Sequence, residues 1–125
     1  MVVGHFGCGG VKAALYNTRV GLADNWLRHI KDVRDRHAGL LAALAEHHRL
    51  DALCELNVIE QVMNVAHTTV VQDAWAREQP LTLHGWVYGL TDGLLQDLHM
   101  VIRGEDVLAE THARAVAEVA QRERR

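Results

Sequence analysis

The segment LDALCELNVIEQVMNVA, residues 50–66, is the clearest helix in this chain and sets its fold. Its apolar residues recur at intervals of four and three, which is the spacing of one helical face. The residues on this face are Ala52, Leu56, Ile59, Met63 and Ala66. A second row, formed by Val58, Val62 and Val65, widens it. The sequence therefore predicts a central helix that is buried on more than one side.

Local signals predict the elements that precede this helix. Residues 1–3 are MVV and Gly4 follows, which indicates the end of a strand and then a glycine-rich loop. Residues 11–16 are typical of a short helix. Asp24 is a candidate N-cap for a helix over residues 25–37. Residues 40–45 are expected to add one or two helical turns.

The second half of the chain alternates between helix and strand signals. Thr69 has capping-box spacing to Gln72 and predicts a helix that stops before Pro80. Residues 81–88 alternate weakly and predict a strand. Asp92-Gly93 indicates a tight turn, after which residues 94–102 return as an antiparallel neighbour. A final amphipathic helix starts near residue 105. This order predicts an α/β fold with an incomplete, mostly parallel sheet, an antiparallel edge strand and covering helices.

Composition excludes several classes of protein. The chain has 125 residues, a formal charge of −3, 49% hydrophobic residues and two cysteines. We expect a single domain over residues 1–125 without a disulfide framework. The absence of a basic stripe argues against a nucleic-acid partner, and no apolar run approaches the roughly 20 residues that span a bilayer. The N terminus lacks the order of a secretory signal, so a cytoplasmic location is expected.

The stretch GHFGCGG, residues 4–10, carries the chemistry. His5 and Cys8 offer imidazole nitrogen and thiolate sulfur, both of which bind zinc. The alternative is a glycine-rich turn with a buried cysteine. A third ligand is not evident, because Cys54 is better interpreted as a core residue and nothing places His84 or His99 beside Cys8.

Four ordered segments carry a family resemblance. They are GHFGCGGV, DNWLRHI, LDALCELNVIEQVMNV and TTVVQDAWAREQPLTLHGWVYGLTDGLLQDL. Over residues 1–98 the chain closely resembles the C-terminal part of β-class carbonic anhydrases. The resemblance implies a zinc enzyme that interconverts carbon dioxide and bicarbonate. In that family two cysteines and one histidine hold the zinc, and His5 and Cys8 match the second and third of these ligands.

The chain also departs from the family pattern. The first zinc cysteine of the family lies in a Cys-x-Asp-x-Arg motif, which does not occur in this sequence. We therefore expect an N-terminally truncated domain, and no catalytic residue is assigned because the aspartate–arginine pair is missing. Tyr88 matches a tyrosine of a regulatory bicarbonate pocket found in some members, although it is equally compatible with an ordinary strand residue.

Two main hypotheses of function follow from the resemblance. The first is a zinc-dependent carbonate dehydratase by family that is inactive as the isolated chain. The alternative is a non-catalytic remnant that serves as a binding or assembly module with an intact subunit. A weaker third hypothesis gives His5 and Cys8 a redox or metal-storage role. The expected partners are carbon dioxide or bicarbonate and further copies of the chain, as a dimer or tetramer. We expect marginal stability, oligomerisation and poor zinc binding.

Overall fold

A computed structural model describes residues 1–124. The elements in chain order are β1 (Val2–His5), α1 (Gly9–Tyr16), α2 (Ala23–Arg36), α3 (Ala38–Ala43), α4 (Glu46–Ala66), α5 (Thr69–Ala76), β2 (Gly85–Tyr88), β3 (Leu95–Asp97), a 3-10 turn (Glu105–Val107) and α6 (Leu108–Glu123). No helix within this described part of the chain is long and apolar enough to cross a membrane.

The sheet has three strands in the order β1-β2-β3. β1 pairs with β2 in parallel, with Val2 opposite Gly85 and His5 opposite Tyr88. β2 pairs with β3 in antiparallel fashion, with Trp86 opposite Asp97. The predicted α/β class, with a mostly parallel sheet and an antiparallel edge strand, is confirmed.

Helix α4 is the centre of the core. It packs against both β1 and β2 on one side and against α1, α2 and α6 elsewhere. Most of both predicted apolar rows is buried, and Leu56, Ile59 and Val62 are completely inaccessible to solvent, whereas Met63 and Val65 near the C-terminal end are partly buried. Contact on several sides explains why the helix lacks a single apolar stripe.

Several predicted boundaries were wrong. The predicted helix N-cap Asp24 lies inside α2, where its carboxylate instead accepts a hydrogen bond from the backbone N–H of Val20 at 2.9 Å. The cap of α5 is Thr68 rather than Thr69, because the Thr68 hydroxyl accepts the Val71 N–H. The side-chain amide of Gln72 donates to the Ala66 carbonyl and does not close a capping box.

The strands are shorter than predicted. Of residues 81–88 only the second half forms β2, and the Leu81 carbonyl before it accepts a hydrogen bond from the Trp75 indole at 2.9 Å. Leu83 makes a single antiparallel bridge to Ile102. β3 ends at Asp97, and His99 has the left-handed φ of 58° that interrupts an extended strand.

Candidate metal centre

The loop between β1 and α1 places His5 and Cys8 on either side of a tight turn. His5 is the last residue of β1, and Cys8 is the residue that precedes the first turn of α1. Gly7 between them has a φ of 71°, which residues with a side chain rarely adopt. The Phe6 N–H donates to the Tyr88 carbonyl at 3.0 Å, so the loop is anchored on β2.

The His5 ring is oriented in a way that suits a metal ligand. Its Nδ1 lies 2.9 Å from the Phe6 carbonyl oxygen, and a carbonyl can only accept, so Nδ1 is the donor. The lone pair of the ring is then on Nε2. Metal-binding histidines commonly have their second nitrogen fixed in this manner.

Cys54 lies beneath the same loop. The thiol is almost fully buried, and burial raises its pKa to about 11, although the backbone amides of Cys8 and Gly7 act in the opposite direction. A deeply buried thiol with a raised pKa is typical of an unreactive core cysteine. The interpretation of Cys54 as a core residue is confirmed by its burial.

A cavity of about 760 Å³ adjoins the loop. Phe6, Gly7 and Asp51 form one wall, and the segment over residues 89–92 and 94–96 forms the other. The predicted Asp92-Gly93 turn shapes that second wall, because Gly93 has a φ of 70° and its N–H donates to the Gly89 carbonyl at 2.9 Å. The cavity combines apolar side chains with the carboxylate of Asp51.

The donors in this loop are of the right types for zinc but too few. Zinc sites in proteins use three or four protein ligands, and His5 and Cys8 provide two. Within residues 1–124, neither belongs to any group of three converging histidine, cysteine, aspartate or glutamate ligands. Within the described part of the chain, this loop therefore offers two of the three or four donors that a zinc site uses.

Tyr88 lies opposite His5 in the parallel pair of β1 and β2. Its side chain is 37% exposed at the end of β2. Its backbone carbonyl accepts the hydrogen bond that fixes the loop. The tyrosine hydroxyl points toward Gly93, since a Cβ at Gly93 would lie 3.8 Å from it.

A second cluster, of two histidines and an arginine around one buried glutamate, was not predicted from the sequence. His37 Nε2 and His112 Nε2 each lie 2.7 Å from the same carboxylate oxygen, Oε1 of Glu60. Arg36 Nη1 donates to the other oxygen at 2.7 Å. Burial acts to raise the pKa of Glu60, but the two histidine hydrogen bonds and the His112 and Arg36 charges outweigh it and lower the pKa to about 2. Glu60 is therefore ionised at neutral pH.

Comparison with known proteins gives a consistent result. The family model described as carbonic anhydrase matches residues 1–95. A carbonic anhydrase of Emericella nidulans is 44% identical over 105 residues, which are 83% of this chain and 46% of that protein. The chain thus spans about half the length of this relative.

The solved structures to which the chain is similar belong to the same family as the sequence matches. The Coccomyxa β-carbonic anhydrase in complex with acetazolamide has a TM-score of 0.79 and 41% identity, over 86% of this chain and 50% of that chain. A tetrameric β-carbonic anhydrase of Sordaria macrospora has a TM-score of 0.70 and 31% identity, over 80% of this chain and 51% of that chain.

Proposed function

This chain belongs to the β-carbonic anhydrase family, and on that premise we propose that it is part of a zinc-dependent carbonate dehydratase. The substrates are carbon dioxide and bicarbonate. The observation that supports this proposal is the β1–α1 loop, which presents His5 and Cys8 around a left-handed Gly7.

His5 and Cys8 are proposed to hold the zinc ion through Nε2 and Sγ. The hydrogen bond from His5 Nδ1 to the Phe6 carbonyl keeps Nε2 available. A bound zinc would supply a water of lowered pKa as a nucleophile at neutral pH. The apolar residues of the adjoining cavity, among them Phe6 and Leu94, suit the entry of a small nonpolar substrate.

The third ligand is proposed to come from outside the described residues. The family resemblance assigns it to a Cys-x-Asp-x-Arg motif, which this sequence does not contain. We therefore expect the isolated chain to bind zinc weakly and to be inactive. No residue of this chain is proposed as the proton-transferring or hydroxide-orienting group.

Association with further chains is the second part of the proposal. Several large apolar side chains on or beside the sheet are exposed, among them Val3, Leu94 and Leu95. The outer edge of β1 has no strand partner within residues 1–124. Unpaired edges and apolar patches favour pairing with another chain. The same features support the alternative function, a non-catalytic module that assembles with an intact subunit.

Tyr88 is proposed to contact bicarbonate. Its partly exposed phenol at the end of β2 supports this role. Substitution Tyr88→Phe would remove the hydroxyl without changing the packing of the ring. In an active chimera with the N-terminal half of the Emericella nidulans relative, a regulatory contact predicts altered inhibition by bicarbonate with unchanged hydration at low bicarbonate.

The test uses this chain and a chimera that carries the N-terminal half of the Emericella nidulans relative ahead of Met1. Hydration of carbon dioxide is followed with a pH indicator in the presence of Zn²⁺. We expect the isolated chain to show no rate above buffer and the chimera to be active. Cys8→Ala should lower the chimera's rate by at least about 100-fold, because a zinc ligand is lost.

Cys54→Ala is the matched control, since it removes the other thiol. It should leave the rate of the folded chimera within about threefold of the parent, because Cys54 is a buried core residue that belongs to no group of three converging metal donors within residues 1–124. An active Cys8→Ala chimera would show that this loop does not hold the catalytic metal. An inactive but folded parent chimera would favour the non-catalytic module.

A further inference from the structure

We propose that His37, Glu60 and His112 form a second binding site for a divalent transition-metal ion. His37 lies at the junction of α2 and α3, Glu60 in α4 and His112 in the first half of α6. Their three ligand atoms all lie within 4.8 Å of one another. Two imidazoles and one carboxylate are a ligand set that zinc, iron, cobalt and nickel ions accept.

The cluster is separate from the His5–Cys8 loop. Glu60 follows Cys54, which lies under that loop, by six residues. Six residues correspond to about 9 Å along a helix and a rotation of about 240° around its axis. The two sets of donors therefore face different sides of α4.

The structure pre-positions the three donors. Glu60 is 4% exposed, and the rings of His37 and His112 both reach its Oε1, with their centroids 6.3 Å apart. Arg36 holds the second carboxylate oxygen and fixes its orientation. A hydrogen bond to the outer oxygen of a ligating carboxylate is the usual support of a metal site.

Little rearrangement is needed to admit an ion. Metal–ligand bonds of about 2.0–2.1 Å at tetrahedral angles separate neighbouring ligand atoms by about 3.4 Å. Each N–O distance would lengthen from 2.7 Å to that value. Both histidines would bind through Nε2 and carry their proton on Nδ1, so a tautomeric shift replaces two hydrogen bonds with two metal bonds.

The site has room for an exchangeable ligand and links distant parts of the chain. The His112 side chain is 27% exposed, which leaves one side of the cluster open to water. His37 and His112 contact Glu60 from 23 and 52 residues away. A bound ion would therefore connect α4 to α6 and to the α2–α3 junction, and metal binding would stabilise the fold.

The experiment first removes His5 and Cys8, the two candidate donors of the β1–α1 loop. Co²⁺ is titrated into the His5→Ala/Cys8→Ala double variant, and binding is followed by visible absorption and by calorimetry. We expect one equivalent of Co²⁺ with nitrogen and oxygen ligation, without a thiolate charge-transfer band, and a melting temperature raised by Zn²⁺. No binding, or a thiolate band, would refute the proposal.

A ligand variant and a matched control complete the test. In the same background, His112→Gln should weaken Co²⁺ binding by at least about tenfold, since one of three ligands is lost. His48→Gln is the control, because His48 is also 27% exposed and contacts a glutamate, Glu123, at 3.3 Å. It should leave the affinity unchanged.

Equal affinities of the His112→Gln variant and its parent would mean that the cluster is only a hydrogen-bonded contact. Circular dichroism verifies that the His112→Gln variant is folded, and if it is not, the double variant alone decides. Because the double variant lacks His5 and Cys8, the outcome is independent of the proposed carbonic anhydrase activity.

Discussion

Helix α4 carries two buried glutamates five residues apart that behave in opposite ways. Glu55 is 1% exposed and Glu60 is 4% exposed. Burial raises the pKa of Glu55 to about 7, although the Arg122 charge opposes it. The pKa of Glu60 is lowered to about 2. Two carboxylates with similarly low solvent exposure on one helix therefore have pKa values shifted in opposite directions.

The number of donors explains the difference. Both oxygens of Glu60 accept hydrogen bonds, two at Oε1 and one at Oε2. Glu55 accepts from Gln96 at 2.8 Å and Arg122 at 3.3 Å, both at Oε1, and its Oε2 has no partner among residues 1–124. A buried carboxylate is stable as an anion only when donors replace the water it has lost.

The largest effect on the free energy of unfolding is expected when each of the two glutamates is replaced by leucine. Glu60→Leu should destabilise the chain by about 3 kcal/mol, because it leaves the His37 ring buried without an acceptor. Glu55→Leu should cost less, about 1 kcal/mol, because it also removes an unsatisfied oxygen and the Arg122 that loses this partner still lies 3.8 Å from Glu118. Urea unfolding at pH 8 with a chelator present measures both. Equal losses would show that the difference in hydrogen bonding has no energetic consequence.

The second-largest effect is expected in the pH dependence of stability, to which Glu55 and Glu60 contribute with opposite signs. The folded-state pKa of Glu55 is about 7 against an ordinary 4.5, so the folded chain binds more protons than the unfolded chain between these values. Its contribution to stability is present below pH 4.5 and is lost as the pH rises through 7, by about 3 kcal/mol in total. Glu60 contributes stability above pH 4.5, which is lost only as the pH falls toward 2.

Glu55→Gln tests this expectation. The difference in unfolding free energy between wild type and this variant should change with pH between 4.5 and 7, because Glu55 and the neighbouring Glu123, whose pKa is also raised, titrate as a coupled pair while groups far from them cancel. A constant difference would contradict the raised pKa of Glu55.

The smallest effect is expected at a surface contact. Glu118 lies 3.1 Å from His99 and 3.8 Å from Arg114, and its side chain is 30% exposed. Glu118→Gln should change stability by less than about 0.5 kcal/mol, since exposed ion pairs contribute little. Thermal unfolding at low and high salt measures it. A loss comparable to that of Glu60→Leu would mean that exposure is not the deciding variable.

The sequence predicted those parts of the fold that a short run of neighbouring residues determines. The apolar rows of α4 and the Asp92-Gly93 turn were recognised because their spacing is visible in a few residues. The first turn of α4, from Glu46, was missed because its residues are polar and continue no apolar row. Strand ends were also missed, because they depend on partners such as the Trp75 indole that the sequence does not place.

The two candidate sites also differ in whether their residues are close together in the sequence. His5 and Cys8 are three residues apart, so one glycine-rich loop revealed them. The assignment of zinc to that loop stays a prediction. The His37–Glu60–His112 cluster joins residues separated by 23 and 52 positions, and only the packing of α4 against α6 and the α2–α3 junction brings them together. No signal in the sequence could have found it.

Two glycines in the strands, Gly4 and Gly85, determine how closely α4 can pack against the sheet. A Cβ at Gly4 would lie 2.7 Å from a Val58 methyl group, and one at Gly85 would lie 3.0 Å from a Val62 methyl group. Neither glycine has a positive φ, so space and not backbone conformation requires them. Both methyl groups belong to the helix that also carries Cys54 and Glu60. An added methyl group at either glycine would therefore press on the one helix that lies under the His5–Cys8 loop at Cys54 and carries Glu60 on a different side, so both regions depend on the same distance between sheet and helix.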